Sequence, residues 1–117
     1  MGRLTTHVLD TTHGCPGRDI EVELYRVEGA QLNVLATTRT NNDGRCDAPL
    51  LQGNEYRSGV YQLQFKAGDY YRALGVEAPG QAFLDVVVLR FGIDEAQEHY
   101  HVPLLLAPFS YSTYRGS

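Results

Sequence analysis

The sequence predicts an all-β protein: an antiparallel β-sandwich of about eight short strands with one short helix, in a single domain covering residues 1–117. Three observations point there. Apolar residues recur mostly with a period of two, the signature of strands with one buried face. Turn-forming residues separate these runs at regular spacing, and only one short segment reads as helical. At 117 residues, 43% hydrophobic and 21% charged, the chain has the size and composition of one globular domain with one core.

The elements follow in order. Leu4 to Asp10 alternates weakly and leads into the turn-rich run Thr11 to Gly17; alternation places His7 on the face of Thr5 and Leu9, away from Thr6 and Val8. Ile20, Val22 and Leu24 alternate with Asp19, Glu21 and Glu23, so one face of that strand is buried. Leu32, Val34 and Ala36 repeat the pattern after Glu28-Gly29-Ala30, predicting a hairpin. Asn41-Asn42-Asp43-Gly44 is the strongest turn signal, because Asn, Asp and Gly tolerate positive φ and their side chains bond nearby backbone; it holds Arg45 beside a tight turn. Tyr61, Leu63 and Phe65 mark another strand, and the nearly continuous apolar run from Phe83 to Phe91 reads as a central strand buried on both faces. Between them, Asp69 is placed to cap a helix over Tyr70 to Leu74, ended by Gly75. In the last strand His99 and His101 share one face, and Pro103 points to an edge or a bulge. The polar-aromatic run Ser110 to Thr113 continues through Tyr114-Arg115-Gly116-Ser117 to the terminal carboxylate.

Composition excludes some classes of function. A formal net charge of −4, with no cluster of Lys or Arg, argues against nucleic acid as a partner. No apolar run is long enough to cross a bilayer as a helix and no secretory leader is visible, so a cytoplasmic protein without a membrane partner is expected. Cys15 and Cys46 are not in a Cys-x-x-Cys arrangement, and free thiols in a reducing compartment are the expectation. His99-x-His101 lacks a Cys pair or acidic partner at ligand spacing, so no metal site is expected. Two imidazoles near neutral pKa, a guanidinium and a terminal hydroxyl are the groups of an acid–base site with an anion clamp, if they converge.

Three motifs carry a resemblance. Leu4 to Gly17 has the form Leu-Thr-x-His-Val-Leu-Asp-x-x-x-Gly-x-Pro-Gly, Thr40 to Arg45 the form Thr-x-x-Asp-Gly-Arg, and His99 to Ser117 reads His-Tyr-His-Val-Pro-Leu-Leu-Leu-Ala-Pro-Phe-Ser-Tyr-Ser-Thr-Tyr-Arg-Gly-Ser. In this order the chain closely resembles the 5-hydroxyisourate hydrolases, the transthyretin-like enzymes of purine degradation, and Gly59 to Gly75 fits the same order between the second and third motifs. The resemblance implies a transthyretin-like sandwich assembled as a homotetramer, a dimer of dimers, with sites in the channel between dimers. It implies that His7, Arg45, His101 and Ser117 are catalytic, and that His7, Arg45, Tyr114, Arg115 and Gly116 contact substrate. His101 rather than His99 takes the family position, because it directly precedes Val102-Pro103-Leu104. The implied reaction is hydrolytic ring opening of 5-hydroxyisourate without metal or organic cofactor; which histidine acts as base stays open. A transthyretin-type carrier of small ligands, without catalysis, is the alternative.

Overall fold

The computed structural model describes residues 2–76 and 80–116. Among them the chain forms β1 (Arg3–Asp10), β2 (Cys15–Pro16), β3 (Glu21–Glu28), β4 (Gln31–Arg39), β5 (Leu51–Gln52), β6 (Gly59–Phe65), α1 (Ala67–Ala73), β7 (Val87–Ile93), β8 (His99–Ala107) and β9 (Ser110–Thr113). One sheet runs β2-β1-β8-β9, with β5 also pairing β1; the other runs β4-β3-β6-β7. No described helix is long and apolar enough to cross a membrane.

The period-two signal holds where a strand has neighbours on both sides. Leu4 and Val8 of β1, Val22 and Leu24 of β3, Tyr61, Leu63 and Phe65 of β6, and Leu104 and Leu106 of β8 are fully buried and fill the space between the sheets. The opposite faces of β1 and β8 carry the histidines. These two strands pair in parallel, Thr5 opposite His101 and His7 opposite Pro103, whereas the other strand pairs are antiparallel.

Four expectations are corrected. Leu32 and Val34 do not continue a buried stripe: β4 ends its sheet, and a bulge that leaves Leu35 unpaired shifts the register between Leu24↔Ala36 and Tyr25↔Val34, so both side chains are exposed. The apolar run from Phe83 forms a strand only from Val87, and that strand is an edge with alternating burial; Phe83 is 71% exposed. Helix α1 begins earlier than Asp69, which sits in its first turn and pairs with Arg72 at 3.2 Å. The N-cap is Lys66, and the free N–H of Gly68 is taken by the Asp85 carbonyl, so no side-chain cap is required. Gly75 ends the helix as expected, at φ +70°.

Pro103 is the fourth. Strand β8 is interior, between β1 and β9, and not an edge. His101 and Pro103 turn their backbone polar groups to the same side, toward β9. The β8–β9 ladder reaches Leu104↔Thr113, lapses opposite Pro103, and resumes in the same register as the isolated bridge His101↔Gly116. The missing N–H therefore falls where Tyr114 and Arg115 leave the ladder, and the Thr113 hydroxyl donates to the Pro103 carbonyl at 2.7 Å.

Behind the sandwich, Asp10 at the end of β1 is buried and gathers the turn after β1 and helix α1. Its carboxylate accepts from the backbone N–H groups of Thr12 and His13, from His13 Nδ1 at 2.6 Å, and from the hydroxyls of Tyr70 at 2.8 Å and Tyr71 at 3.1 Å. Burial alone would raise this carboxyl, but the converging donors hold it below the ordinary value. Burial and the Asp10 charge push both tyrosines well up.

Candidate active site

Three chain segments meet on the outer face of the β1–β8 pair. Strand β1 supplies Thr5 and His7, β8 supplies His101, and the turn at 41–44 supplies Arg45. The turn is tied down from within: the Asn41 side-chain oxygen accepts from the N–H groups of Asp43 and Arg45, and its backbone closes on Gly44 and Arg45. The Gly44 carbonyl then accepts from Val8 N at 2.8 Å, and His7↔Arg45 form a bridge, so the turn is fastened alongside β1. Gly44 sits at φ +76°, and a Cβ there would lie 2.4 Å from the Val8 carbonyl oxygen.

The rings of His7 and His101 are 6.5 Å apart between centroids, tilted by 39°. His101 Nδ1 is 2.8 Å from the Thr5 hydroxyl. Burial lowers the pKa of both imidazoles from the ordinary 6.5, and the Arg45 guanidinium lowers both further; for His7 the nearby Asp43 carbonyl and carboxylate offset part of the shift. Both rings are therefore neutral at pH 7, each with one N–H and one lone pair. Arg45 is exposed and forms no ion pair among the described residues, so its donors are available to a ligand.

A cleft of about 590 Å³ opens beside these groups, lined by Arg3, Thr5, Thr6, Arg45, Cys46, Ala48, His99, His101, Tyr114 and Gly116. The chain end enters it because Gly116 donates to the His101 carbonyl at 2.7 Å; a Cβ on Gly116 would lie 2.8 Å from the His101 ring. Tyr114 is 60% exposed on the rim. Arg115 turns aside: its guanidinium stacks on Tyr100 at 4.2 Å and donates to the His99 carbonyl at 3.1 Å, outside the lining of this cleft. Ser117, expected to be catalytic, lies outside the described residues. A separate hollow of about 660 Å³ beside α1 is lined by His13, Cys15, Arg18, Arg39, Lys66 and Tyr70 among others. Two of its cations are engaged with carboxylates, Arg39 with Asp19 at 3.3 Å and Lys66 with Glu23 at 3.5 Å.

His7, Arg45, His101, Tyr114 and Gly116 thus come together from positions up to 109 residues apart in sequence, Gly116 being that far beyond His7. Thr5 and Cys46 join them without having been singled out. The signal for Thr5 was present in the alternation that put it on the face of His7; Cys46 follows Arg45 directly. The Asp10 cluster left no such trace, because Tyr70 and Tyr71 lie about sixty residues away along the chain.

Known proteins resemble this chain in sequence and fold. A 5-hydroxyisourate hydrolase of Pseudomonas aeruginosa is 72% identical over 117 residues, covering 100% of this chain and 93% of that protein. The structure of the 5-hydroxyisourate hydrolase of Klebsiella pneumoniae matches with a TM-score of 0.82 and 34% identity, covering all of both chains. A crystal structure of an (S)-allantoin synthase matches with a TM-score of 0.92 and 45% identity; it covers 99% of this chain, which spans 44% of that one. A model of the HIUase/Transthyretin family matches residues 4–116, and with a relative 72% identical over 93% of its length, the chain belongs to that family.

Proposed function

We propose that this chain hydrolyses 5-hydroxyisourate, opening the six-membered ring at a cyclic amide carbonyl to give 2-oxo-4-hydroxy-4-carboxy-5-ureidoimidazoline, a step of urate degradation to allantoin. The observation that carries this reading is that His101 and an uncommitted Arg45 line one open cleft, with the His7 ring 6.5 Å from that of His101. Relatives that bear the name of this enzyme over nearly their full length support it.

Water is the nucleophile. One imidazole takes its proton as the oxygen adds to the carbonyl carbon, a contribution of about 10²–10⁴-fold, and the other imidazole works on the water or the substrate. Arg45 holds the flat edge of the ligand with a planar fork and stabilises negative charge on the carbonyl oxygen. Tyr114 and Gly116 shape the rim, Arg115 braces them from its stacked position on Tyr100, and the Ser117 hydroxyl orients a histidine or the water.

The chain works as a homotetramer, a dimer of dimers. Strands β7 and β9 each end their sheet, and the exposed rings of Phe83 and Phe109 stand 6.2 Å apart, an apolar pair that a partner copy would cover. A cytoplasmic setting fits the unbonded thiols of Cys15 and Cys46. The carrier alternative calls for a mainly apolar channel, whereas this cleft is walled by Arg3, Arg45, His99 and His101.

The test follows the ultraviolet absorbance of 5-hydroxyisourate freshly made from urate, with wild-type chain, with His101→Asn and with no protein. Faster decay with wild type that His101→Asn removes is expected. Wild-type decay no faster than buffer, from a folded tetramer, would refute the enzyme.

A further inference from the structure

We infer that Thr5 is a positioning residue for His101: its hydroxyl donates to Nδ1 and holds the neutral ring with its proton on Nε2, making His101 a fixed donor and His7 the base. This rests on the proposed hydrolysis and assigns a role to each imidazole within it.

The parallel register puts Thr5 directly opposite His101, with both side chains on the outer face, and the Oγ1 to Nδ1 distance is 2.8 Å. Thr5 Oγ1 has no other hydrogen-bond partner among the described residues. Its neighbour Thr6 shows the structural alternative: buried on the inner face, it donates to the Val102 carbonyl at 2.7 Å. The direction of the Thr5 bond follows from acceptor strength. An imidazole lone pair is a far stronger acceptor than a hydroxyl oxygen, so the favourable arrangement is O–H to Nδ1, with the ring proton left on Nε2. The His7 ring makes no such bond among the described residues. With the His101 lone pair taken by Thr5, the imidazole lone pair left free for a proton is that of His7.

One ring is thus held as a donor and the other keeps a free lone pair, 6.5 Å apart between centroids. In the reaction, His7 takes a proton from water as the water oxygen bonds to the carbonyl carbon. The carbonyl oxygen gains negative charge and is held by Arg45 and by the Nε2–H of His101, which stays neutral; a neutral imidazole serving as electrophile is known chemistry. The carbon–nitrogen bond then breaks and the leaving nitrogen takes the proton from His7. One water is consumed and no other proton source is needed.

Heavy-atom positions do not carry protons, so the test is spectroscopic and kinetic. Long-range proton–nitrogen NMR of the ¹⁵N-labelled wild type, above the histidine titration, is expected to show His101 with Nε2 protonated and Nδ1 bare. Thr5→Val, nearly isosteric, is expected to give a mixture of tautomers and lower kcat about tenfold with KM little changed, the size of one lost hydrogen bond in the transition state. Thr5→Ser is expected to restore the single tautomer and most of the rate. A wild-type spectrum with Nδ1 protonated overturns the inference whether or not Thr5→Val folds. So does an active wild type whose Thr5→Val variant keeps both tautomer and kcat. An inactive wild type refutes the functional reading instead, while the nitrogen spectrum still decides the direction of the Thr5–His101 bond.

Discussion

Replacing Gly44 with alanine tests whether the 41–44 turn holds Arg45 in place. Two costs follow from the structure. At φ +76° a side chain is strained by about 1–2 kcal/mol. The added Cβ would also lie 2.4 Å from the Val8 carbonyl oxygen, where ordinary contact begins at 3.4 Å, so the turn must retreat from β1 by about 1 Å. That retreat breaks the 2.8 Å bond from Val8 N to the Gly44 carbonyl, for about 1 kcal/mol more, which puts the whole loss at about 2–3 kcal/mol. Gly29 is the internal control. It has φ +61° and open space around its would-be Cβ, so Gly29→Ala suffers only the conformational strain. Arg45 follows Gly44 directly, and a 1 Å misplacement of a substrate-positioning group costs about 10²-fold in rate. Urea unfolding read by circular dichroism and initial rates of hydrolysis measure both effects on the two variants. Equal stability of the two, together with wild-type kcat/KM for Gly44→Ala, would refute the claim that this turn positions the guanidinium.

Other perturbations have expected outcomes. Because Arg45 lowers both imidazoles, wild-type kcat/KM should fall with acid only below pH 6.5, and Arg45→Gln, besides being slower, should move that limb to higher pH; an unmoved limb would separate Arg45 from the titrating groups. Asp10→Asn turns an amide nitrogen toward a nest of donors and should cost about 2–4 kcal/mol in urea unfolding, while kcat at low temperature stays near wild type. Since folded Asp10 titrates below its ordinary 3.8, the unfolded chain takes up that proton first; its stabilisation is full above that pH and lost as pH falls through the folded value, a slope that Asp10→Asn should remove from the pH dependence of unfolding. A peptide appended after Ser117 should lower kcat/KM about tenfold without changing the melting temperature, and an unimpaired tagged enzyme would take the chain end out of the mechanism.

What the sequence revealed and what it hid divide along physical lines. The β3–β4 hairpin and the 41–44 turn are local, and their residues state their own conformations. The sides of β1 and β8 were also legible, since alternation placed Thr5 with His7 and His99 with His101. Depth within a sheet was not: the run around Val87 has the composition of a central strand, but its place at an edge depends on which strands lie beyond it. The same holds for Pro103, whose missing N–H is harmless only because Tyr114 and Arg115 leave the ladder opposite it. The bulge at Leu35 escaped for another reason, since one unpaired residue inverts the facing of everything between it and the hairpin turn. The convergence of His7 and His101 came from motif order and not from pattern, because no periodicity reports a pairing across 96 residues.

That long-range parallel pair has a bearing on how the molecule comes into being. During synthesis β3, β4 and β6 can meet early, but β1 must wait for its parallel partner until β8 is made, 96 residues further along. Closing so large a loop is slow relative to hairpin formation. Any polypeptide cut short before His99 would lack both the second imidazole and the strand that pairs along the first. The two imidazoles therefore become neighbours in one late step, when β8 docks along β1.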